Sequence, residues 1–472
     1  MVFVLIAGLA ACASEPEAEF YEPEIEEVAK SPVPHVQDEE NEEDIDTVLH
    51  FMEMFAVGDI AGMLQMMTEE MQAAGAEMYA SLHQMTLLQR GSFIDWEIAD
   101  SHMIDGSTAF DIAVTSVIGR SVNRVTVDSN GKVEGFLDMG FVFEPVPVDE
   151  NATYYRFPVL IGEGTPWALD GLLTIPHEAS EKSPVPALLL VHGSGAQNMD
   201  QSIFDNRVFH DIATYLSSNG IAVLRYDKRT LTHGAAFEEA FGGIGGNVTV
   251  WNEVIEDALL AAEILRNDPR ISSVFVAGHS LGGMLSPRIA EEGGLDGAIL
   301  LGASPRPLFE IQYDQNVQSI NDALFAGEIS QEEADGLLAM VSDMLEEAQN
   351  LPDLTDEEMQ EMSAFGLPAI YQRSLMDSLP LPIILRNGIP TLILHGDKDF
   401  QVWTDSDFNV FVQHTQENVH VRTILYDGVT HIFTPAQTDF NDLREYMVAG
   451  HVDERVLWDI VDWINNHEED AL

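Results

Sequence analysis

The 472-residue sequence has few basic residues, with 21 Lys and Arg against 80 Asp and Glu and a formal net charge of −59. A surface this negative repels phosphate backbones, which argues against nucleic acid as a partner and against electrostatic docking on anionic lipid. Only five of the basic residues are Lys. An acid-rich surface with so little Lys is compatible with a saline or extracellular setting.

The sequence contains a single cysteine, Cys12, so no intramolecular disulfide can form. The apolar run MVFVLIAGL before it is too short to span a bilayer but fits the core of a signal peptide. The stretch Leu-Ala-Ala-Cys resembles the lipobox of bacterial lipoproteins, which implies cleavage before Cys12 and acylation of its thiol. No Lys or Arg precedes the apolar run, which departs from that pattern. We expect residues 1–12 to be a lipoprotein signal peptide.

No other stretch of the sequence is long and apolar enough to form a transmembrane helix. Residues 13 to 46 carry fourteen Asp or Glu and one Lys, with few large apolar side chains. Like charges keep such a segment extended, and it cannot bury enough surface to offset the entropy of ordering. We therefore expect residues 13–44 to be an acidic disordered tether. The expected location is extracytoplasmic, with the lipid on Cys12 anchoring the chain to a bacterial membrane.

The full sequence is 46% hydrophobic, and its 472 residues are enough for two or three folding units. Residues 45–147 begin with two helical patterns, one capped by Asp46 and one over 60–88, and continue as alternating segments. Asp128-Ser-Asn-Gly131 is typical of a hairpin turn. These patterns predict a small α+β domain. It resembles the α+β cone of nuclear-transport-factor-like domains.

Residues 152–472 show continuous apolar strands that alternate with amphipathic helices, which predicts a mostly parallel α/β sheet buried on both faces. The predicted strands are 155–160, 169–175, 187–191, 221–226, 274–277, 298–301, 391–394 and 421–426. Residues 306–388 break the alternation with acidic helical stretches. We expect them to form a helical cap inserted over the strand ends.

Gly278-His-Ser280-Leu-Gly282 matches the G-x-S-x-G nucleophile elbow, and it follows an apolar strand and opens a helix. A serine on so sharp a turn needs small residues two positions before and after it, because the backbones approach closely. The turn exposes the Ser280 hydroxyl, while the N-terminus of the helix offers N–H groups to a developing oxyanion. The context predicts that Ser280 is a nucleophile.

A nucleophilic serine requires a base, and the base requires an orienting carboxylate. His431 is the one histidine that lies between the last predicted strand and the last helix. Asp397 and Asp399 follow the preceding strand, and Asp427 lies just before His431. We favour Asp399 as the orienting acid, because of its position three residues before Val402, and leave Asp397 and Asp427 as alternatives.

His192-Gly-Ser194-Gly195 ends another buried strand, where a glycine-rich turn allows the backbone to approach a substrate. We expect the Ser194 N–H, with Gly195 as the alternative, to form an oxyanion hole with the N–H of Leu281. Another group of charges, Arg225 to Arg229, follows the 221–226 strand. A buried network that braces the loops is favoured there over contact with a substrate carboxylate.

HGSG, VLRYDKRT, GHSLGG, HGDKDFQV and DGVTHIF occur in this order within residues 155–467, and together they resemble the α/β-hydrolase superfamily. More narrowly, they are similar to bacterial secreted esterases of the dienelactone-hydrolase and acyl-peptidase-like branch. The resemblance implies a serine hydrolase with a triad of Ser280, Asp399 and His431 and a preference for carboxylic esters. Such a triad needs no metal ion and no organic cofactor, so none is expected.

Three functions remain open. A carboxylesterase acting on a small-molecule ester is favoured. A peptidase of the acylaminoacyl or prolyl oligopeptidase type usually carries a β-propeller before the hydrolase domain, and only about a hundred residues are available here. A catalytically inert binding lipoprotein would be expected to lose the serine, the histidine or a glycine of the elbow, and all of these are present.

Overall fold

The computed structural model describes residues 42–242, 246–360 and 362–471. Cys12, the predicted signal peptide and nearly all of the predicted tether lie outside the described residues. The first helix begins at Glu42, three residues before the predicted boundary at 45. Within the described parts of the chain, no helix has the length and apolar character needed to cross a membrane.

The first folding unit packs four helices against a four-stranded antiparallel sheet. The helices are α1 (Glu42–Val57), α2 (Ile60–Met66), α3 (Glu69–Gln72) and α4 (Ala76–Arg90). The strands, in their order across the sheet, are β1 (Phe93–Ile104), β2 (Ser107–Ser116), β3 (Gly119–Val127) and β4 (Val133–Phe143). Their apolar faces share one core around Phe51, Phe55 and Phe110. The small α+β domain and the β3–β4 hairpin at 128–131 are therefore as predicted.

Two helix boundaries differ from the prediction. The single helix predicted over 60–88 is broken into three, because Thr68 caps a new helix through Met71 N and Gly75 has a φ of 87°. Asp46 lies inside α1 rather than at its start. Asp59 performs the capping role instead, since its carboxylate accepts a hydrogen bond of 2.8 Å from Gly62 N at the start of α2.

The second folding unit is built on an eight-stranded sheet. Its strands are β5 (Tyr154–Ile161), β6 (Leu169–Pro176), β7 (Val185–Val191), β10 (Ala222–Tyr226), β11 (Ile271–His279), β12 (Gly297–Leu301), β15 (Thr391–Lys398) and β16 (Val421–Thr430). The spatial order is β16-β15-β12-β11-β7-β10-β6-β5, and two short strands, β8 (Ser202–Ile203) and β9 (Asn206–Arg207), pair outside it. Pairing is parallel from β16 to β10 and antiparallel for β10–β6 and β6–β5. The predicted mostly parallel sheet is confirmed.

Helices cover both faces of this sheet, and the central strand β7 shows why its sequence is apolar throughout. Leu189 and Val191 pack into the core on one face, whereas Leu188 and Leu190 pack into the core on the other. The helices around the sheet are α5 (Val208–Ser218), α6 (Arg229–Thr232), α7 (Gly234–Phe241), α8 (Glu256–Asn267), α9 (Leu281–Gly293), α15 (Asn409–Thr415) and α16 (Glu454–Ala471).

A helical cap lies between β12 and β15, within the range where the sequence predicts an insertion. Its helices are α10 (Leu308–Ala326), α11 (Gln331–Gln349), α12 (Asp356–Gln360), α13 (Ala369–Met376) and α14 (Pro380–Asn387), with the short strands β13 (Ser363–Ala364) and β14 (Leu367–Pro368). The cap has a core of its own, which includes Phe309, Val341 and Phe365.

The small domain contacts the second folding unit at the segment 200–207. Asp205 accepts hydrogen bonds from Ser92 N at 2.7 Å and from Ser92 Oγ at 2.8 Å. Arg207 donates to the carbonyl oxygens of Val117 at 2.5 Å and Glu144 at 3.2 Å, and to the buried carboxylate of Asp200 at 2.9 Å. One arginine therefore joins the two folding units.

Candidate active site

Ser280 lies on the sharp turn between β11 and α9, with a φ of 54° and a ψ of −117°. A side chain at Gly278 would collide with the backbone of Gly282, and one at Gly282 would collide with the carbonyl of Val191. The two glycines of the motif are therefore required by close approach of the backbone. Ser280 N donates to Leu301 O at 2.8 Å, which fixes the turn against the end of β12.

His431 and Asp399 form a buried pair beside this turn. Nδ1 of His431 lies 2.6 Å from Oδ2 of Asp399, and the other carboxylate oxygen accepts hydrogen bonds from Gln401 N at 2.9 Å and Val402 N at 2.8 Å. Burial alone would raise the pKa of Asp399, but the charge and hydrogen bond of His431, with the N–H of Val402, hold that pKa below its usual value. Asp399 is therefore set to remain ionised and to orient the imidazole.

The two other candidate acids have different partners. Asp397 accepts a hydrogen bond of 2.6 Å from Gly428 N and thereby connects the ends of β15 and β16. Asp427 is exposed, and its carbonyl oxygen accepts from Arg455 at 3.1 Å. The structure thus brings His431 to Asp399 and gives Asp397 a role in the turn.

Gly302 completes the surroundings of the His–Asp pair and was not identified from the sequence. It follows β12 with a φ of 59°, and a Cβ built on it would lie 3.0 Å from Nδ1 of His431 and 3.5 Å from Oδ2 of Asp399. Its place directly after an apolar strand, in Leu301-Gly302, is a signal that could have indicated it. Because Gly302 and Ser280 line the same cavity, it connects the pair with the serine.

The cavity beside Ser280 has a volume of about 20 Å³, which is room for roughly one water molecule. Its lining comprises Ser194, Ser280, Leu281, Met284, Gly302, Ser304, Leu308, Ile311, Gln315, Gln401 and Val402. Ser194 and Leu281, the predicted oxyanion donors, thus lie on the same cavity as the serine. Leu281 is the first residue of α9, where a backbone N–H has no acceptor within the helix. Gly195, the alternative donor, has a φ of 85°.

Cap residues form part of the cavity wall, and polar contacts hold the cap in place. Gln315 of α10 donates to Gln401 O at 2.6 Å, across the loop that carries Asp399. The buried carboxylate of Asp407 accepts from Ser304 Oγ at 2.5 Å and from Arg306 at 2.9 and 3.0 Å. Residues 304–306, where the chain enters the cap, are thereby connected to the segment after β15.

Two buried histidines near the serine make local contacts. Nε2 of His279 lies 2.9 Å from the carbonyl oxygen of His431, and Nδ1 of the same ring lies 2.5 Å from Nε2 of Gln201. His192 Nε2 contacts Asn198 O at 3.0 Å. The pKa of each histidine is lowered to about 3, mainly because the ring is buried and also because of a neighbouring charged group. Both rings are therefore neutral at ordinary pH and hold loops together.

The charges of Arg225 to Arg229 form the predicted bracing network. Arg225 pairs with Asp200 at 3.0 Å, Lys228 pairs with Glu253 at 2.6 Å, and Arg229 is bound by Asp257. All of these side chains are buried. The acidic partners were not identified from the sequence, since nothing in the local pattern at 253–257 distinguishes a paired carboxylate from an exposed one.

Within the described residues, one group of side chains could hold a metal ion, namely Asp100, His102 and Asp111 of the small domain. Arg124 already occupies both oxygens of Asp111, at 2.7 and 2.9 Å. The group therefore has an ion-pair partner of its own.

Residues 188–443 match the model of the alpha/beta hydrolase family. Esterase EstD of Thermotoga maritima is 35% identical over 346 residues, which cover 72% of this chain and 75% of that protein. Among solved structures, similarity extends to an esterase of Pyrococcus furiosus, at 12% identity and a TM-score of 0.40 over 68% of this chain and 95% of that one. It also extends to the acylaminoacyl peptidase of Pyrococcus horikoshii, at 12% identity and a TM-score of 0.41 over 79% and 56%. The extent of the family match, together with the relative from Thermotoga, shows that the chain belongs to the alpha/beta hydrolase family.

Proposed function

We propose that the protein is a serine carboxylesterase that hydrolyses carboxylic esters through an acyl-enzyme on Ser280. The observation that carries the proposal is the placement of Ser280 at a positive φ on the strand-to-helix turn, beside the buried His431–Asp399 pair. Family membership and the 35% identity to a protein named an esterase support the choice of an ester as the bond that is broken.

The reaction follows from the roles of these side chains. The hydroxyl oxygen of Ser280 attacks the ester carbonyl carbon while His431 accepts the hydroxyl proton, and Asp399 stabilises the imidazolium. The N–H groups of Ser194 and Leu281 donate to the oxyanion of the tetrahedral intermediate. The alcohol leaves with the proton from His431. Water, activated by the same histidine, then attacks the acyl-enzyme and releases the carboxylic acid and the free serine.

The small cavity bears on the substrate. Apolar side chains of Met284, Leu308, Ile311 and Val402 form much of its wall, so the acyl part of the substrate meets an apolar surface. A volume of about 20 Å³ leaves little enclosed space for an acyl chain beside Ser280. We expect turnover to be fastest with short acyl chains and to fall as the chain lengthens.

The experiment that tests the proposal compares wild type with Ser280→Ala. A fluorophosphonate probe should label the wild type and not the variant, and p-nitrophenyl esters of increasing chain length should be hydrolysed only by the wild type. The variant should retain its melting temperature, because a small polar side chain is lost from the cavity surface. Equal turnover by the variant would overturn the proposal. Absence of labelling in folded wild type would favour an inert binding module.

Ester and amide substrates with matched leaving groups distinguish the esterase from a peptidase. We expect p-nitrophenyl esters to be cleaved far faster than the corresponding p-nitroanilides. Comparable values of kcat/KM for the two series would favour a peptidase of the acylaminoacyl type.

The proposal also includes the location of the enzyme and the nature of its small domain. An apolar run followed by Cys12 and an acidic stretch supports a lipid-anchored, extracytoplasmic enzyme. Mass spectrometry of the N-terminal peptide, purified from a bacterial membrane fraction, would show a diacylglycerol-modified Cys12 if this is correct. Four helices on a four-stranded antiparallel sheet support the likeness of the small domain to nuclear-transport-factor-like domains.

A further inference from the structure

A buried chain of three side chains runs from the cap to the loop that carries Ser194. The hydroxyl of Tyr371, on cap helix α13, donates to Oε2 of Glu253 at 2.6 Å. The other carboxylate oxygen of Glu253 pairs with Nζ of Lys228 at 2.6 Å. Nζ of Lys228 then donates to the carbonyl oxygen of Gly193 at 2.9 Å. The triad chemistry described above uses none of these three side chains.

These three side chains are buried, so their polar and charged groups cost free energy unless each group has a close partner. Lys228 is 2% exposed, Glu253 is 1% exposed and Tyr371 is 2% exposed. Removing a charge from water costs several kcal/mol, and a close partner offsets this cost only when the geometry is good. The lysine ammonium therefore has a fixed position, with Glu253 on one side and the Gly193 carbonyl on the other.

The carbonyl that Lys228 holds belongs to the same peptide group as the N–H of Ser194. A trans peptide is planar, so its C=O and N–H point in opposite directions, and the described chain contains no cis peptide bond. Fixing the Gly193 oxygen toward Lys228 thus fixes the Ser194 N–H on the opposite side. Gly193 lies close to the nucleophile, since a Cβ built on it would be 3.3 Å from Cβ of Ser280. Ser194 lines the cavity that contains Ser280.

We propose that Lys228 is a positioning residue of the oxyanion hole, which holds the Gly193–Ser194 peptide so that the Ser194 N–H points at the developing oxyanion. Glu253 and Tyr371 hold the lysine in turn, so that the cap contributes to the geometry of the hole. The ammonium also polarises the peptide to which it is bonded, which strengthens the donor at its other end. This inference rests on the proposed esterase function.

The test uses the double variant Lys228→Met/Glu253→Gln in the full chain, because removing the lysine alone would leave a buried carboxylate without its cation. Loss of a single oxyanion donor lowers kcat by about 10²–10³-fold. A donor that is present but poorly aligned should cost less, so we expect kcat to fall about 10- to 100-fold. KM for a p-nitrophenyl ester should change little, because the carbonyl oxygen of the bound substrate forms weaker hydrogen bonds with the oxyanion hole than the oxyanion does.

A boronic acid that forms a tetrahedral adduct with Ser280 provides a second readout. Its inhibition constant should rise by a factor similar to the fall in kcat. Lys182→Met is the matched control, because it removes an exposed lysine and should change neither quantity. Tyr371→Phe removes one hydroxyl and leaves the ion pair, so kcat should fall by a smaller factor with KM unchanged. This second variant keeps the inference testable if the double variant does not fold.

Two failures are distinguishable. If the wild type shows neither labelling nor turnover that depends on Ser280, the proposed function is wrong. If the wild type is active and Tyr371→Phe and any folded double variant keep both kcat and boronate affinity, Lys228 has only a structural role and the inference is wrong. A parallel loss of substrate and boronate affinity would also overturn it, since that pattern indicates general damage to the site.

Discussion

Replacing Asp399 with asparagine should disable His431, the proposed base, without disturbing the fold. One carboxylate oxygen already accepts hydrogen bonds from Gln401 N and Val402 N, whereas the other faces Nδ1 of His431. In Asp399→Asn, the amide oxygen is required on the side of the two backbone donors. The NH₂ group must then face His431, which forces Nδ1 to act as an acceptor and places the ring proton on Nε2.

An imidazole protonated on Nε2 cannot accept the proton of Ser280. In serine hydrolases with this triad, the same change lowers kcat by about 10⁴-fold. At about 1.36 kcal/mol for each tenfold change, that corresponds to about 5.4 kcal/mol of lost transition-state stabilisation. The backbone donors decide this outcome, because without them the amide could rotate and restore the productive tautomer.

Steady-state kinetics with p-nitrophenyl acetate would measure the effect, with Asp397→Asn as the matched control, two positions earlier near the end of β15. An asparagine at 397 still offers a carbonyl oxygen to Gly428 N, so kcat should stay within about threefold of wild type. A large loss in Asp397→Asn with near-normal activity in Asp399→Asn would refute the assignment and the tautomer reasoning together.

Three further predictions concern stability and the surroundings of the triad. Gly302→Ala places a Cβ 3.0 Å from Nδ1 of His431, and an alanine in this left-handed conformation costs about 1–2 kcal/mol. Urea denaturation should show that decrease in the free energy of unfolding, and kinetics should show a lower kcat. Asp407→Ala removes a buried carboxylate that accepts hydrogen bonds from Ser304 and Arg306, while the partly exposed Arg306 keeps Asp314 as a partner. The variant should lose about 1–3 kcal/mol by the same measurement, whereas equal stability would show that water replaces the carboxylate. His192 and His279 both have a folded pKa lowered from 6.5 to about 3, so the unfolded state binds more protons below pH 6.5 and stability falls as the pH falls. Between pH 7 and pH 5 each should contribute a loss of about 2 kcal/mol, and His192→Gln should remove one such contribution, whereas an unchanged slope in that variant would contradict the assignment.

The parts of the site that depend on local pattern were predictable from the sequence. The elbow requires glycines at 278 and 282 because the backbones touch there, and that need is visible in five consecutive residues. The strands of the parallel sheet are apolar throughout, since alternate side chains enter different cores. Ser280, Asp399 and His431 could be named as candidates because each lies shortly after a predicted strand.

Contacts that join distant segments could not be read from the sequence. Glu253 pairs with Lys228 across 25 positions, and Tyr371 contacts the same glutamate across 118. An acidic residue on a helix has the same local pattern whether it is exposed or buried. The break of the helix at Thr68 and Gly75 was missed for another reason, because apolar spacing continues through both positions while the backbone turns.

The contact between the two folding units has a consequence for how such a chain can evolve. Arg207 binds the small domain through backbone carbonyls, and the same guanidinium holds Asp200, next to the Gln201 that contacts His279 beside Ser280. A recombination event that removed the small domain would leave this arginine without those acceptors and disturb a segment adjoining Ser280, the proposed nucleophile. Selection would therefore tend to keep the two folding units together. A lineage that lost the small domain would need compensating changes at 200–207.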